Sequence, residues 1–413
     1  MYINSISLSN YRGIESLDIN LDCKSIVMFG VNGSGKTSVV NSVGLILSKI
    51  ISVISNNRFR QQMPITPNDV RYGASTTKIC NLLKLEDEAE IDYRLSYNKN
   101  DSTVTIDKKE SARLKTLFSD LYLNGDASLP ILAHYGVNRG VFSVPLRIKS
   151  KHEFGRIEAY QNAISPTVDF RAFFEWFRNQ EDLENEKRLE NHAYRDRALE
   201  TTRDAIMAFM PDVSQICIRR NPLRMSATKN GRALRVEQFS DGEKCAIALL
   251  GDISRRLALA NPAASNPRFG NGIVLIDEVE LHMHPSWQRK IVPMLHKTFP
   301  NIQFIVTTHS PLVLSDLTNE YKIFGLRQTD NGVSCYEMIP GSYDVNTVLE
   351  DNMGVASISP EISELVSLIY DRIKNCDYES AKKQLVVLTQ LTNGTHEAIT
   401  RANIMLRRAM RER

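Results

Sequence analysis

Several things are scarce in this chain. Its six cysteines (23, 80, 217, 245, 335, 376) lie far apart, with no CxxC pair and no Cys/His metal spacing. That excludes a disulfide scaffold or zinc module and fits reduced thiols in a cytoplasmic protein. Charge bias is also missing: 51 Lys+Arg against 48 Asp+Glu leave +3, so any basic site must be local. The greasiest run, Val39–Ile54, is broken by Asn41, Ser42, Ser48, Lys49 and Ser52. It reads as a buried helix too short and polar to span a bilayer, and no membrane partner is expected. Met1–Asn20 alternates and is unlike a signal peptide. There is no internal repeat, no low-complexity segment, and no apolar heptad series between residue 54 and Ser240.

What is present begins at Gly30-Val31-Asn32-Gly33-Ser34-Gly35-Lys36-Thr37, which fits G-x-x-x-x-G-K-[ST]. Ser25–Phe29 before it has strand length, and Thr37–Ile54 after it has helix length with one Gly and no Pro. Strand, glycine loop and helix N-terminus together cradle a polyphosphate, because backbone N–H groups and the helix dipole converge on its oxygens. Gly30 and Asn32 to Ser38 are therefore the expected nucleotide contacts. Among them Lys36 would reach the β- and γ-phosphates and Thr37 would ligate Mg²⁺.

Three later stretches extend this site. Ser240-Asp241-Gly242-Glu243 opens a run in which Ala246, Ile247, Leu250, Ile253 and Leu257 recur at helical spacing. Ser240 and Gly242 at such a helix start could meet a γ-phosphate. Ile273–Ile276 is an apolar strand ending in Asp277-Glu278. Asp277 would hold Mg²⁺ through water, and Glu278 would orient or deprotonate the attacking water. Ile302–Thr308 is another buried strand, and it ends in His309. His282 and His284 have a spacing that could suit a metal on a strand, but with no third ligand nearby a subunit-contact loop is preferred.

The N-terminal pattern, two alternating strands around Asn10-Tyr11-Arg12-Gly13 and then the P-loop, resembles the ABC-type ATPase heads of the RecF, SMC and OLD group. The resemblance covers residues 1 to about 320. It implies an α/β fold, a P-loop NTPase with an ABC-type head of mixed sheet core and antiparallel β subdomain. Ser240–Glu243 resembles the ABC signature with departures at Asp241 and Glu243, Asp277-Glu278 the Walker B pair, and His309 the switch histidine. Glu278 and His309 are thus the implied catalytic residues. The family's glutamine near Mg²⁺ is absent; Asn138 or Arg139 is the candidate substitute, with a plain turn and a solvated Arg as the alternative. A helical lid is expected at about 150–210, and residues 321–413 are expected as a C-terminal β plus helical appendage.

Ala133–Leu146, Asp169–Glu184, Ile276–Ser286 and the helical C-terminus are similar to PtuA, the ATPase of Septu and retron-associated anti-phage systems. That likeness implies ATP and Mg as ligands and an ATPase subunit working with a separate HNH-type nuclease. It also implies a head-to-tail homodimer or higher oligomer, since each ABC signature closes on nucleotide held by another subunit. A RecF-type DNA-repair ATPase is the alternative. An OLD-type nuclease would need a D-x-D after His309, which is lacking, so the chain is not expected to be a nuclease itself. Arg219, Arg220, Arg224, Lys229, Arg232 and Arg235 fall in one acid-free segment. They form either a DNA-phosphate face or a solvated edge hairpin protected by its charge. Apolar stripes at Ile362, Leu365, Val366, Ile369 and Ile373 and at Leu385, Leu388 and Leu391 either dock on the chain's own head or receive a partner.

Overall fold

The computed structural model describes residues 1–59, 63–85, 89–125, 127–137, 154–165, 167–329, 332–341, 360–375, 377–392 and 397–411. Asn138, Arg139 and Cys376 lie outside them. The chain forms two compact units, Met1–Asp344 and Val345–Arg413.

The first unit is layered. β1 (Tyr2–Tyr11) and β2 (Ile14–Asn20) alternate buried and exposed positions, as a sheet with one covered face requires. They join β4 (Thr76–Lys84), β5 (Glu90–Asn98) and β6 (Thr103–Ile106) in an antiparallel sheet ordered β2-β1-β4-β5-β6. This is the antiparallel subdomain the resemblance implies. Between β2 and β4 run β3 (Ser25–Phe29), buried throughout, and α1 (Lys36–Ile54). At 19 residues α1 is longer than the run read from sequence, and by length and composition alone it could cross a membrane. Its residues instead pack against strands of both sheets, which makes it a core helix.

The central sheet has seven strands. β7 (Ile131–Tyr135), β8 (Ile164–Ser165), β12 (Gly272–Ile276), β13 (Ile302–Thr308) and β3 run parallel, and the full order is β15-β14-β3-β13-β12-β7-β8. β14 (Tyr321–Thr329) and β15 (Gly332–Met338) correct the sequence boundary at 320. β14 pairs in parallel with β3, Tyr321 opposite Ser25 and Gly325 opposite Phe29, so these strands complete the head sheet and are no part of an appendage. α2 (Lys108–Leu123) packs beside α1.

Opposite α1 lie α3 (Phe170–Glu190), α4 (Arg197–Phe209) and α5 (Asp241–Ala260). Phe173, Phe174, Trp176 and Phe177 are fully buried, each worth roughly 2–3 kcal/mol of transfer free energy. Phe173 sits over Gly251 of α5, where an added Cβ would lie 2.5 Å from its ring. The helical stretch expected as a lid is thus a packed layer on α5, because its aromatic stripe needs a core to cover it. Between α4 and α5 stands a separate antiparallel sheet of β9 (Val213–Arg220), β10 (Leu223–Lys229) and β11 (Arg232–Arg235). The short helices α6 (Pro285–Gln288) and α8 (Pro311–Leu314) and the longer α7 (Ile291–Thr298) follow β12 and β13.

Among the described residues the second unit holds three helices: α9 (Pro360–Lys374), α10 (Tyr378–Leu391) and α11 (Glu397–Arg411). Ile369, Ile373, Leu385 and Leu388 meet in its core, with Ile362, Leu365 and Val366 packed on its margin. The two apolar stripes therefore largely cover one another, while Leu391 stays exposed.

Candidate active site

β3 delivers the chain to Gly30, whose missing side chain matters: a Cβ there would fall 2.4 Å from the Leu326 carbonyl oxygen of β14. Gly33 and Gly35 take left-handed conformations, with φ of 82° and 99°. α1 begins at Lys36 with Gly35 as its cap and no side chain on its first amides. The Ser34 hydroxyl is buried without a hydrogen-bond partner. Lys36 donates from Nζ to the carbonyls of Gly30 (2.7 Å) and Val31 (2.9 Å). Burial pushes its pKa down, opposed in part by Asp277, Glu278 and Glu280. Open helix amides, an orphaned hydroxyl and a lysine folded over the loop fit a polyphosphate. Asn32 and Gly33 are exposed at the loop crest, and Ser38 is half-buried.

The parallel register of β3, β13 and β12 brings the three motif ends together. Thr37 of α1 donates to Asp277 at the end of β12, 2.9 Å from Oδ2 and 3.2 Å from Oδ1. Thr307 of β13 donates to Asp277 Oδ1 at 2.5 Å, and its oxygen accepts the Glu278 N–H at 2.8 Å. Glu278 has φ of 48°, a strained conformation for a residue with a side chain. Glu280, 4% exposed, accepts the backbone N–H groups of His309 (2.9 Å) and Ser310 (3.2 Å) through Oε1. His309 Nδ1 lies 3.2 Å from that same oxygen but outside hydrogen-bonding alignment. A hydroxyl beside a carboxylate is a hard oxygen pair that suits Mg²⁺, an ion that keeps several ligands for water and phosphate. His282 and His284 gain no third partner, and no metal-ligating cluster of three occurs among the described residues. His284 instead caps α6, accepting the Ser286 N–H.

Thr307 and Glu280 were missed in the sequence. Each acts on a motif residue about thirty positions away, so only the strand register reveals them.

Ser240 caps α5 as predicted, in a capping box whose Glu243 Oε2 accepts both the Ser240 hydroxyl (2.9 Å) and its N–H (2.8 Å). Gly242 abuts the turn after Walker B: a Cβ there would lie 2.4 Å from the His282 carbonyl oxygen. The contacts of Ser240 and Gly242 thus lie with Glu243 and the His282 turn.

The six basic residues do not form one surface. Arg219 faces Arg224 across the β9–β10 register, and Arg235 pairs with Ser226 on the same face. Arg220 is taken by Asp182 (2.6 Å) and Glu181 (3.6 Å), and Lys229 by Glu243. Arg232 is exposed opposite Lys229. The segment lacks acids in sequence, but the fold brings them in from α3 and α5.

A P-loop, a Walker B pair and a signature helix around one mixed, mostly parallel sheet define an ABC-type P-loop ATPase. Over residues 25–315 the chain matches the family described as "AAA domain, putative AbiEii toxin, Type IV TA system", and it belongs to that family. The "Retron Vc95 probable ATPase" of Vibrio cholerae serotype O1 biovar El Tor is 31% identical over 372 residues, covering 77% of this chain and 72% of that protein. "Septu protein PtuA" of Bacillus thuringiensis is 23% identical, covering 93% of this chain and 91% of its own length. "Endonuclease GajA" of Bacillus cereus (strain VD045) is 23% identical, covering 77% and 57%. In fold, the chain is similar to an SMC head solved bound to the C-winged helix domain of ScpA. The TM-score is 0.52 at 15% identity, over 86% of this chain and all of that one.

Proposed function

We propose that this chain is the ATP-binding and ATP-hydrolysing subunit of an anti-phage defence complex, acting through a separate nuclease. The observation that carries the ATPase half is the junction of Thr37, Asp277 and Thr307 beside the P-loop. The defence half is supported by the similarity to retron and Septu proteins. The resemblance to PtuA makes an HNH-type enzyme the expected partner.

In this reading Lys36 leaves the Gly30 and Val31 carbonyls for the β- and γ-phosphates, while the amides opening α1 receive the remaining oxygens. Thr37 and Asp277 would hold Mg²⁺, which when bound neutralises charge on the phosphates. Glu278, its backbone pinned by Thr307, orients or deprotonates the attacking water. His309, braced on Glu280, contacts the terminal phosphate. Ser240 is exposed and its contacts, like those of Gly242, lie with Glu243 and the His282 turn; on this reading the pair serves nucleotide on a second copy in a head-to-tail dimer. The three-helix unit is where a partner docks, and Arg219, Arg224 and Arg235 form the face that DNA phosphates would meet. On this reading the chain does not itself cut nucleic acid.

Two variants test the core of this. Lys36→Ala should abolish equilibrium ATP binding. Glu278→Gln should bind ATP but release phosphate about a hundredfold or more slower. Undiminished hydrolysis by Glu278→Gln removes that residue from its role. DNA cleavage by the purified chain alone would contradict the separate-nuclease half.

A further inference from the structure

Lys229 is the last residue of β10, and Asn230-Gly231 behind it turn with positive φ (48° and 77°) into β11. That two-residue turn fixes where the lysine points. Its ammonium meets Glu243 Oε1, while Glu243 Oε2 holds the Ser240 hydroxyl. Lys229 is therefore two contacts from the signature serine, at the positive end of the 20-residue α5. It also lies 3.8 Å from Asp212 and over the Phe239 ring.

These groups line an open pocket of about 520 Å³ bordered by Asp212, Lys229, Ser240, Glu243, His282 and His284. Ser240 on its rim is exposed to solvent. Lys229 is 26% exposed where Glu243 is 8%, so the ammonium is reachable from the solvent side of the pair while the carboxylate is not. Burial pushes the Glu243 carboxyl up, but hydrogen bonds from Lys229 and Ser240 hold it below its ordinary value. The carboxylate therefore stays ready to hold or release the ammonium. A triphosphate carries more negative charge than one carboxylate and competes for the same ammonium.

We propose that Lys229 is a signature-side cation of the composite site. When two copies close head to tail, it exchanges Glu243 for the terminal phosphates of nucleotide held by the second copy's P-loop. This rests on the head-to-tail reading and adds to it a phosphate-contacting residue supplied from outside the signature helix.

Subunit mixing tests it. Lys229→Ala should lower the rate of phosphate release about tenfold or more, and Lys229→Arg should recover most of it because charge and donors return. Lys229→Met keeps the aliphatic stem and guards against a packing defect in the alanine variant. Mixed with Lys36→Ala, a Lys229→Met chain should regain activity, since one interface then pairs an intact P-loop with an intact Lys229. Action within its own subunit predicts a dead mixture. The control mixture replaces the Lys229 variant with Ser240→Arg. If the control regains activity and the Lys229 mixture does not, the Lys229 proposal falls and the shared site stands. If neither does, the head-to-tail reading falls and takes this inference with it. Phosphate release by Lys229→Met within twofold of the unaltered chain also overturns it.

Discussion

Thr307 shows what one side chain does at this site. Its hydroxyl donates to Asp277 and accepts the Glu278 N–H, so a single oxygen sets the position of one carboxylate and holds the strained backbone of the next residue. Thr307→Val keeps the shape and removes both bonds. Losing these two hydrogen bonds costs about 1–3 kcal/mol. The expected result is a lower melting temperature and phosphate release slowed about tenfold, with equilibrium ATP binding retained. Hydrolysis equal to the unaltered chain would show that Glu278 holds its place without Thr307. The P-loop and Walker B residues were legible because each motif carries its chemistry in a contiguous run. Thr307 was not, since a threonine in a buried strand looks like any β-former until β12 and β13 pair.

At the scale of elements, α5 carries more than its signature end. Asp252, Arg255 and Arg256 on this helix are all buried. Asp252 Oδ1 accepts Arg255 (2.7 Å), and Oδ2 accepts Arg256 (2.8 Å) and the Tyr135 hydroxyl of β7 (2.9 Å). Arg256 also donates to the Gln161 carbonyl at 3.0 Å, just before β8. The network therefore ties the signature helix to the edge of the central sheet. Burial alone would raise the Asp252 carboxyl, but Arg256 and Arg255 hold it down to about 2. Because the folded value lies below the unfolded one near 3.8, this contribution is present above pH 4 and fades as pH falls toward 2. Asp252→Asn would leave two buried guanidiniums facing an amide, a loss of roughly 3–5 kcal/mol. Chemical denaturation at neutral pH measures it, and a loss under 1 kcal/mol would mean water reaches the cluster. The apolar positions of α5 were legible, but Asp252, Arg255 and Arg256 carried no signal of burial, because their partners Tyr135 and Gln161 lie about a hundred residues away. The same limit hid the pairings of Arg220 and Lys229, whose acids lie on other helices.

For the whole molecule, the head and its motif order were readable, while the place of the last two strands was not. β14 pairs with β3 across nearly 300 residues, and nothing local marks a strand as the neighbour of one so distant. The three-helix unit was legible from its stripes, and its core accounts for most of them. In the proposed head-to-tail dimer one chain holds two halves of different sites: a P-loop with its Walker B partner, and a signature end with Ser240 exposed. Mixing Ser240→Arg with Lys36→Ala subunits and measuring phosphate release tests it most directly. Each parent should be inactive alone. The mixture should recover activity through the one interface that joins an intact Lys36 to an intact Ser240. A mixture as inactive as its parents would contradict the shared site.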